Sequence, residues 1–393
     1  MRILLLAQVY PPSRGGTGRW MSELYSRLPG CDVVVGTGGR SGNPRGNGRV
    51  ALANVPLDFA SWGLTSPKAA VQHAASLIKA SRLVSRQRAE QVHCAKALPE
   101  GLLGVALSVL HRVPFVCYAH GEELTLAGTS RELRALTHLV LRRASRVVAN
   151  SNFTRQLLVT DWHVPEDRLV VMHPGVDTTR FAPAAPDAAV RAALGWGSRP
   201  VVLTVGALQK RKGQDTLIRA LRAIRAAIPD VLYVMAGSGP DREDLENLAR
   251  SEGVEDSVQF RGNASEDDLL ACYQQCDLFA LPNRQIGWDV EGFGMVLVEA
   301  QACGKPVVAG ASGGTLDTFM PGVTGELANT ENPQALAETV IALLGDAERL
   351  RTMGRHARER AVRSFDWAPL TTQAMNVFTA ARAVSQQPAL GAV

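Results

Sequence analysis

The sequence predicts an α/β protein of two doubly wound units, each a parallel sheet with helices on both faces. Three observations carry this. Short apolar runs that read as buried strands alternate with helical stretches through the first 173 residues, and the same rhythm restarts at residue 200. Between the two runs, residues 182–189 are rich in Ala and Pro and read as a linker. The 393-residue length and a composition of 46% apolar and 20% charged residues suit two or three globular domains with sizeable cores.

In the first half, residues 1–9 form a strand, residues 10–18 (YPPSRGGTG) a turn-rich loop, and residues 19–28 a helix. Strand, glycine loop and helix open a nucleotide-type unit, with the loop at the strand's C-terminal edge. The loop is not G-x-G-x-x-G, so it is no dinucleotide fingerprint. A second strand covers 31–36, a Gly- and Arg-rich stretch expected to be a mobile loop covers 38–48, and a weak strand covers 50–56. Residues 67–91 read as a long helix bearing Lys68, Lys79, Arg82, Arg86 and Arg88. That basic face is either simply solvated or touches an anionic lipid surface or acceptor. Strands at 90–95 and 113–119 flank a helix at 98–112. His120-Gly121-Glu122-Glu123 then follows a strand's C-terminal end, where parallel-sheet sites lie. A strand leads to Ser151, Asn152-Phe153-Thr154 caps the next helix, and 168–173 is a further strand.

In the second half, a strand at 200–205 precedes the basic loop GALQKRKG, residues 206–213, and a helix at 214–227. Arg211-Lys212-Gly213 after a strand reads as a diphosphate clamp, with the lysine as a compact positive charge for a leaving nucleotide. Strands at 231–236, 257–261 and 278–282 follow, with a helix at 265–275. Residues 288–310, WDVEGFGMVLVEAQACGKPVVAG, then read as loop, helix, turn and strand. The helix is expected to open at Gly292-Phe293-Gly294 and to stop at Gly304. Glu291 precedes it and Glu299 lies inside it, eight positions on. At that spacing the two acids can grip two ends of one elongated ligand, with the free N–H groups of a helix N-terminus between them. The plainer reading is one acid favouring a helix dipole and one solvated glutamate. Helices at 333–344 and 347–362, and a last amphipathic one at 369–384, complete the chain, with a disordered tail expected after Gln386.

A net charge of +5 is too mild to argue for nucleic acid. The six cysteines show no zinc-ribbon spacing and read as reduced thiols of a cytoplasmic protein. No signal peptide or membrane span is expected. No Asp-x-Asp occurs, and no essential metal is expected.

Glu-x7-Glu within EGFGM and EAQACGKPVVAG resembles the signature of retaining GT-B glycosyltransferases of family four. Further markers occur in the family's order: Gly15-Gly16, His120-Gly121, Pro174-Gly175-Val176-Asp177 and Arg211-Lys212-Gly213. The resemblance implies two Rossmann-like domains facing across a cleft, and a C-terminal helix returning to the N-terminal domain. It divides the chain into an acceptor-side domain (1–181), a linker (182–198), a nucleotide-sugar-binding domain (199–366) and the returning helix with its tail (367–393). It implies that Glu291 holds donor-sugar hydroxyls and Glu299 the ribose, and that Phe293, Gly294 and Met295 present backbone N–H groups. Gly15 and Gly16 would approach the diphosphate, His120 the sugar, and Lys212, with Arg211 beside it, the phosphates. Ala207 stands where the family pattern has an arginine. The implied activity moves a hexose, with retention and without metal or cofactor, from a nucleotide diphosphate sugar to a hydroxyl of a glycan, lipid or small molecule. The string is most similar to mannosyltransferases that use GDP-mannose on inositol lipids, at the inner face of a membrane; UDP-sugars stay open. So do an epimerase or phosphorylase on the same architecture, and a weakly active nucleotide-sugar-binding relic.

Overall fold

A computed structural model describes residues 1–13, 15–38, 50–59 and 61–386. The stretch expected as a mobile loop, beyond Gly38, and the tail after Gln386 lie outside these described residues. The chain forms two compact units, one of Met1–Gly175 together with the chain from Trp367 onward, the other of Val176–Asp366.

The first unit is built on seven described parallel strands: β1 (Arg2–Leu6), β2 (Asp32–Thr37), β3 (Val50–Asn54), β4 (Gln91–Cys94), β5 (Phe115–Ala119), β6 (Arg146–Ala149) and β7 (Leu169–Val171). Their order is β3-β2-β1-β4-β5-β6-β7. Every residue of β4 and β5 is buried, as expected of strands covered on both faces. The covering helices are α1 (Gly16–Arg27), α2 (Pro67–Gln87), α3 (Glu100–His111), α4 (Glu122–Ala127), α5 (Arg131–Arg143) and α6 (Asn152–Thr160). The cap of α6 is Ser151 rather than the Asn152-Phe153-Thr154 triplet. Ser151 has extended backbone angles and its Oγ accepts from Thr154 N at 3.2 Å, so Asn152 is already helical.

The second unit has six described parallel strands: β8 (Val201–Val205), β9 (Leu232–Ala236), β10 (Val258–Gly262), β11 (Leu278–Leu281), β12 (Val307–Ala309) and β13 (Gly325–Leu327), in the order β10-β9-β8-β11-β12-β13. Its helices are α7 (Ala188–Ala193), α8 (Gln214–Ala227), α9 (Arg242–Ser251), α10 (Glu266–Gln275), α11 (Met295–Ala302), α12 (Pro333–Leu344) and α13 (Ala347–Phe365). The chain then rejoins the first unit as α14 (Trp367–Gln386), where Gln91 Nε2 donates to Phe378 O at 2.6 Å and the Tyr25 and Phe378 rings stack.

Two elements differ from the sequence reading for identifiable reasons. The expected linker carries α7, because Asp187 caps it through Ala189 N and Val190 N, while Trp196 just beyond it is buried. Helix α11 starts at Met295, not at Gly292, because Gly294 has φ +94° and cannot be helical.

In each sheet the strand order reverses next to the first strand, between β1 and β4 in one and between β8 and β11 in the other. Such switch points open a crevice at the strands' C-terminal ends, where ligands of open α/β sheets bind.

Candidate active site

At the switch point of the second unit, two loops are clamped together. The loop after β8 ends in a 3-10 turn, Lys210–Lys212, and Gly213. Gly213 has φ +74°, and a Cβ there would stand 1.8 Å from Pro282 O, so only glycine lets this loop seat against the end of β11. Arg284, in the loop after β11, donates its backbone N–H to Arg211 O at 2.8 Å, and its guanidinium takes both oxygens of Asp215 at 2.9 and 2.7 Å. Farther along the same loop, Glu291 O accepts from Gly314 N at 2.9 Å. A side chain at Gly313 would strike that carbonyl, because its Cβ would lie 2.0 Å away. The glycines of Ser312-Gly313-Gly314 therefore serve a close backbone approach that fixes Glu291.

The side chains then converge. Lys212 Nζ donates to Glu291 Oε2, and Arg211 Nη1 donates to the same oxygen at 2.7 Å. Arg211 Nε is 3.0 Å from Asp289 Oδ1. Lys212 and Glu291 are buried. Burial pushes the Glu291 carboxyl up, but the Lys212 and Arg211 charges and hydrogen bonds outweigh it and hold the group below the usual carboxylate range. Asp289 is raised: burial and the Glu291 charge together outweigh Arg211. The cluster is charge-balanced, two acids against two bases. It can trade its internal partners for a ligand's, cations to phosphate and carboxylate to hydroxyls.

The structure thus brings Arg211, Lys212 and Glu291 onto one point. Glu299 lies in the second turn of α11, 2% exposed, and its Oε2 accepts from the Tyr273 hydroxyl at 2.7 Å. The Phe293 side chain belongs to the core, edge-on to Phe365 with ring centroids 5.9 Å apart, so its backbone is what it has to offer a ligand. Gly294 is the N-cap residue of α11 and Met295 its first residue. Ala207 contributes its carbonyl, which accepts from Gln214 Nε2 at 3.0 Å. Sequence reasoning missed Asp289 and Tyr273 as partners of the site. An acid two residues before Glu291 was a usable signal for Asp289; a tyrosine in α10 gave none for Tyr273.

In the first unit, Gly15 precedes α1 and Gly16 is its first residue, beside the switch point. His120 follows β5, 8% exposed, with Nε2 at 2.7 Å from Ala95 O at the end of β4. A carbonyl only accepts, so Nε2 carries the proton and Nδ1 keeps a lone pair. Burial lowers the His120 pKa against the opposing pull of Glu123, which keeps the ring neutral. Glu123 Oε1 accepts from His120 N at 2.7 Å, and Glu100 Oε1 accepts from Gln8 N at 2.8 Å. Each of these acids holds a backbone donor through Oε1, while its Oε2 is buried without a hydrogen-bond partner among the described residues. Among the described residues no group of three or more His, Cys, Asp or Glu side chains could hold a metal ion.

Two doubly wound units, one with a cation–carboxylate cluster at its switch point, define the class of GT-B glycosyltransferases, which move a sugar from a nucleotide-sugar donor. Known proteins agree. The profile "Glycosyltransferase Family 4" matches residues 14–180 and "Glycosyl transferases group 1" matches residues 188–360. The GDP-mannose-dependent alpha-(1-6)-phosphatidylinositol monomannoside mannosyltransferase of Mycolicibacterium smegmatis is 34% identical over 374 residues, 93% of this chain and 95% of that protein. The protein of the same description from Mycobacterium tuberculosis H37Rv is 32% identical over 380 residues, 95% of this chain and 96% of that one. The chain belongs to the family-four glycosyltransferases. In fold it is similar to Anabaena HepE in complex with UDP (TM-score 0.80, 23% identity, 96% of this chain and 100% of that one). It is also similar to sucrose-phosphate synthase of Thermosynechococcus elongatus (TM-score 0.80, 22% identity, 98% and 100%).

Proposed function

We propose that the chain is a retaining mannosyltransferase that moves mannose from GDP-mannose to a hydroxyl of an inositol-containing lipid. The observation that carries this reading is the near-full-length likeness to mannosyltransferases described as GDP-mannose-dependent and acting on a phosphatidylinositol mannoside. Within it, Glu291 takes sugar hydroxyls, Lys212 and Arg211 the diphosphate, and Glu299 the ribose. Phe293, Gly294 and Met295 offer backbone N–H groups at the start of α11. Gly15, Gly16 and the neutral His120, with its acceptor Nδ1, keep the roles expected of them. No protein carboxylate is assigned as a nucleophile. Catalysis then consists of positioning and charge stabilisation, with a donor phosphate oxygen taking the acceptor proton.

The exposed face of α2 supports work at an anionic cytoplasmic membrane surface. It presents Lys68, Lys79, Arg82 and Arg86 beside the exposed Val71 and Ile78. No helix of the described residues is long and apolar enough to cross a membrane.

The test is a donor panel. The purified enzyme is given GDP-mannose, UDP-glucose or UDP-N-acetylglucosamine with and without phosphatidylinositol acceptors, with and without a chelator. The expected outcome is rapid GDP release and an α-linked mannolipid by mass spectrometry and NMR, with acceptor and GDP-mannose only, unaffected by the chelator. Ala207 favours a second reading, a nucleotide-sugar binder without useful turnover. Nucleotide binding with no acceptor-dependent release would establish that instead.

A further inference from the structure

A nucleotide-sugar donor carries a negative charge on each phosphate, and the departing nucleotide gains another as the glycosidic bond breaks. Lys212 balances part of that charge. The same point in the structure holds a second cation, because Arg211 Nη1 and Lys212 Nζ both donate to Glu291 Oε2. An anion that takes over Glu291's place meets both. We propose that Asp289 is the residue that positions Arg211, the cation beside Lys212, against the donor diphosphate. This rests on the nucleotide-sugar reading above.

Asp289 grips Arg211 by Nε, at 3.0 Å, and so acts on the side of the guanidinium away from the nitrogen on Glu291. When Glu291 turns to sugar hydroxyls, Lys212 and Arg211 lose their shared carboxylate. Both side chains are largely buried, and Asp289 holds the guanidinium through a nitrogen that does not touch Glu291. The Asp289 contact keeps it aimed. The frame around this pair is fixed from both ends. Asp289 and Ile286 exchange two backbone hydrogen bonds at 3.0 Å, and Arg211 O is held by Arg284 N at 2.8 Å. Arg284 in turn is locked in a two-pronged pair with Asp215 on the first turn of α8. A functional group held this way by locked neighbours is the arrangement that preorganised sites require.

The experiment compares wild type with Asp289→Asn, Arg211→Lys and the double variant by calorimetric titration with GDP, GMP, UDP and UMP, alongside GDP-mannose turnover. The readout is the ratio of diphosphate to monophosphate affinity. Binding of the monophosphate serves as an internal control for folding, which a merely structural role of Asp289 would disturb in equal measure. Each single variant is expected to lower the ratio by about tenfold, the loss of a charge-assisted phosphate contact. The double variant should lose no more than Arg211→Lys alone, since Asp289 acts through Arg211. A ratio within about twofold of wild type in both single variants, or losses that multiply in the double variant, would overturn the proposal. A wild-type protein that binds neither GDP nor UDP would overturn the nucleotide-sugar reading and this proposal with it. Diphosphate binding by wild type, matched by all variants, would overturn this proposal and leave the nucleotide-sugar reading standing.

Discussion

Glu291 and Glu299 share a motif but not a setting, and the difference makes them separable. Glu291 holds two cations through one oxygen, whereas Glu299 is 2% exposed and takes the Tyr273 hydroxyl. If Glu291 serves the sugar, its contacts tighten as the sugar gains positive charge, and the loss appears in turnover. If Glu299 serves the ribose, which does not change in the reaction, its loss appears in binding. Glu291→Gln should therefore lower kcat by about a hundredfold, and Glu299→Gln should mainly raise the donor KM. The pairing of Glu291 with both cations adds a sharper expectation. In Glu291→Gln the diphosphate no longer has to displace a carboxylate from Lys212 and Arg211. Free GDP should bind this variant at least as tightly as wild type, while Glu299→Gln binds it poorly. Equal loss of GDP affinity in both variants, by calorimetry, would refute the division of labour. The spacing Glu-x7-Glu made both acids legible in the sequence. Their partners were not, because Tyr273 and Arg211 lie 26 and 80 positions away from Glu299 and Glu291 and only the fold brings them in.

At the scale of elements, the strands were legible because parallel strands covered on both faces are unbroken apolar runs, such as Phe115–Ala119. Element ends were less so. Helix α7 rests on an aspartate cap inside an Ala- and Pro-rich stretch, where composition speaks for a linker. The attachment of α14 is another feature no local pattern reveals. It runs through a chain of buried hydrogen bonds. Tyr25 hydroxyl meets His93 Nδ1, His93 Nε2 meets Gln91 Oε1 at 2.8 Å, and Gln91 Nε2 reaches Phe378 O at 2.6 Å. Gln91 and His93 are fully buried. Replacing Gln91 by Leu leaves His93 Nε2 without its partner in the core and removes the second donor on Phe378 O, at a cost of about 1–3 kcal/mol read as a lower urea midpoint. A change under about 0.5 kcal/mol would mean that the apolar face alone holds α14. Burial drives the His93 pKa down to about 3. A lowered folded-state value contributes stability above the unfolded-state pKa, and that contribution is lost as pH falls through the folded one. Acid should therefore loosen this latch, and it should do so less in a Tyr25→Phe/His93→Leu variant.

For the whole molecule, the two-unit plan and the ordered motifs made the class of the protein legible in the sequence. What it acts on is a matter of surface as well as site. Helices α2, α3 and α5 pack side by side in the first unit. Their outer faces expose Val71, Ile78, Val109, Leu110 and Leu139 among Lys68, Lys79, Arg82, Arg86, Arg112, Arg134 and Arg142. Scattered apolar residues on a surface need no explanation by themselves. Here they alternate with cations, which attract anionic headgroups while aliphatic side chains enter the interface. Each basic residue near such a surface contributes about 1 kcal/mol at low salt. Reversing Arg82, Arg86 and Arg88 to Glu should therefore abolish co-sedimentation with phosphatidylglycerol- or phosphatidylinositol-containing vesicles, and leave binding of free GDP intact, since these residues lie outside the donor cluster. Transfer to a lipid acceptor in vesicles should fall with vesicle binding, whereas transfer to the same headgroup presented as a water-soluble analogue should persist. Raising the salt concentration should weaken wild-type vesicle binding in the same direction. Wild-type protein that ignores anionic vesicles, or a triple variant that binds them unchanged, would reduce the basic face to a solvated one and leave the acceptor to be sought among soluble hydroxyl compounds.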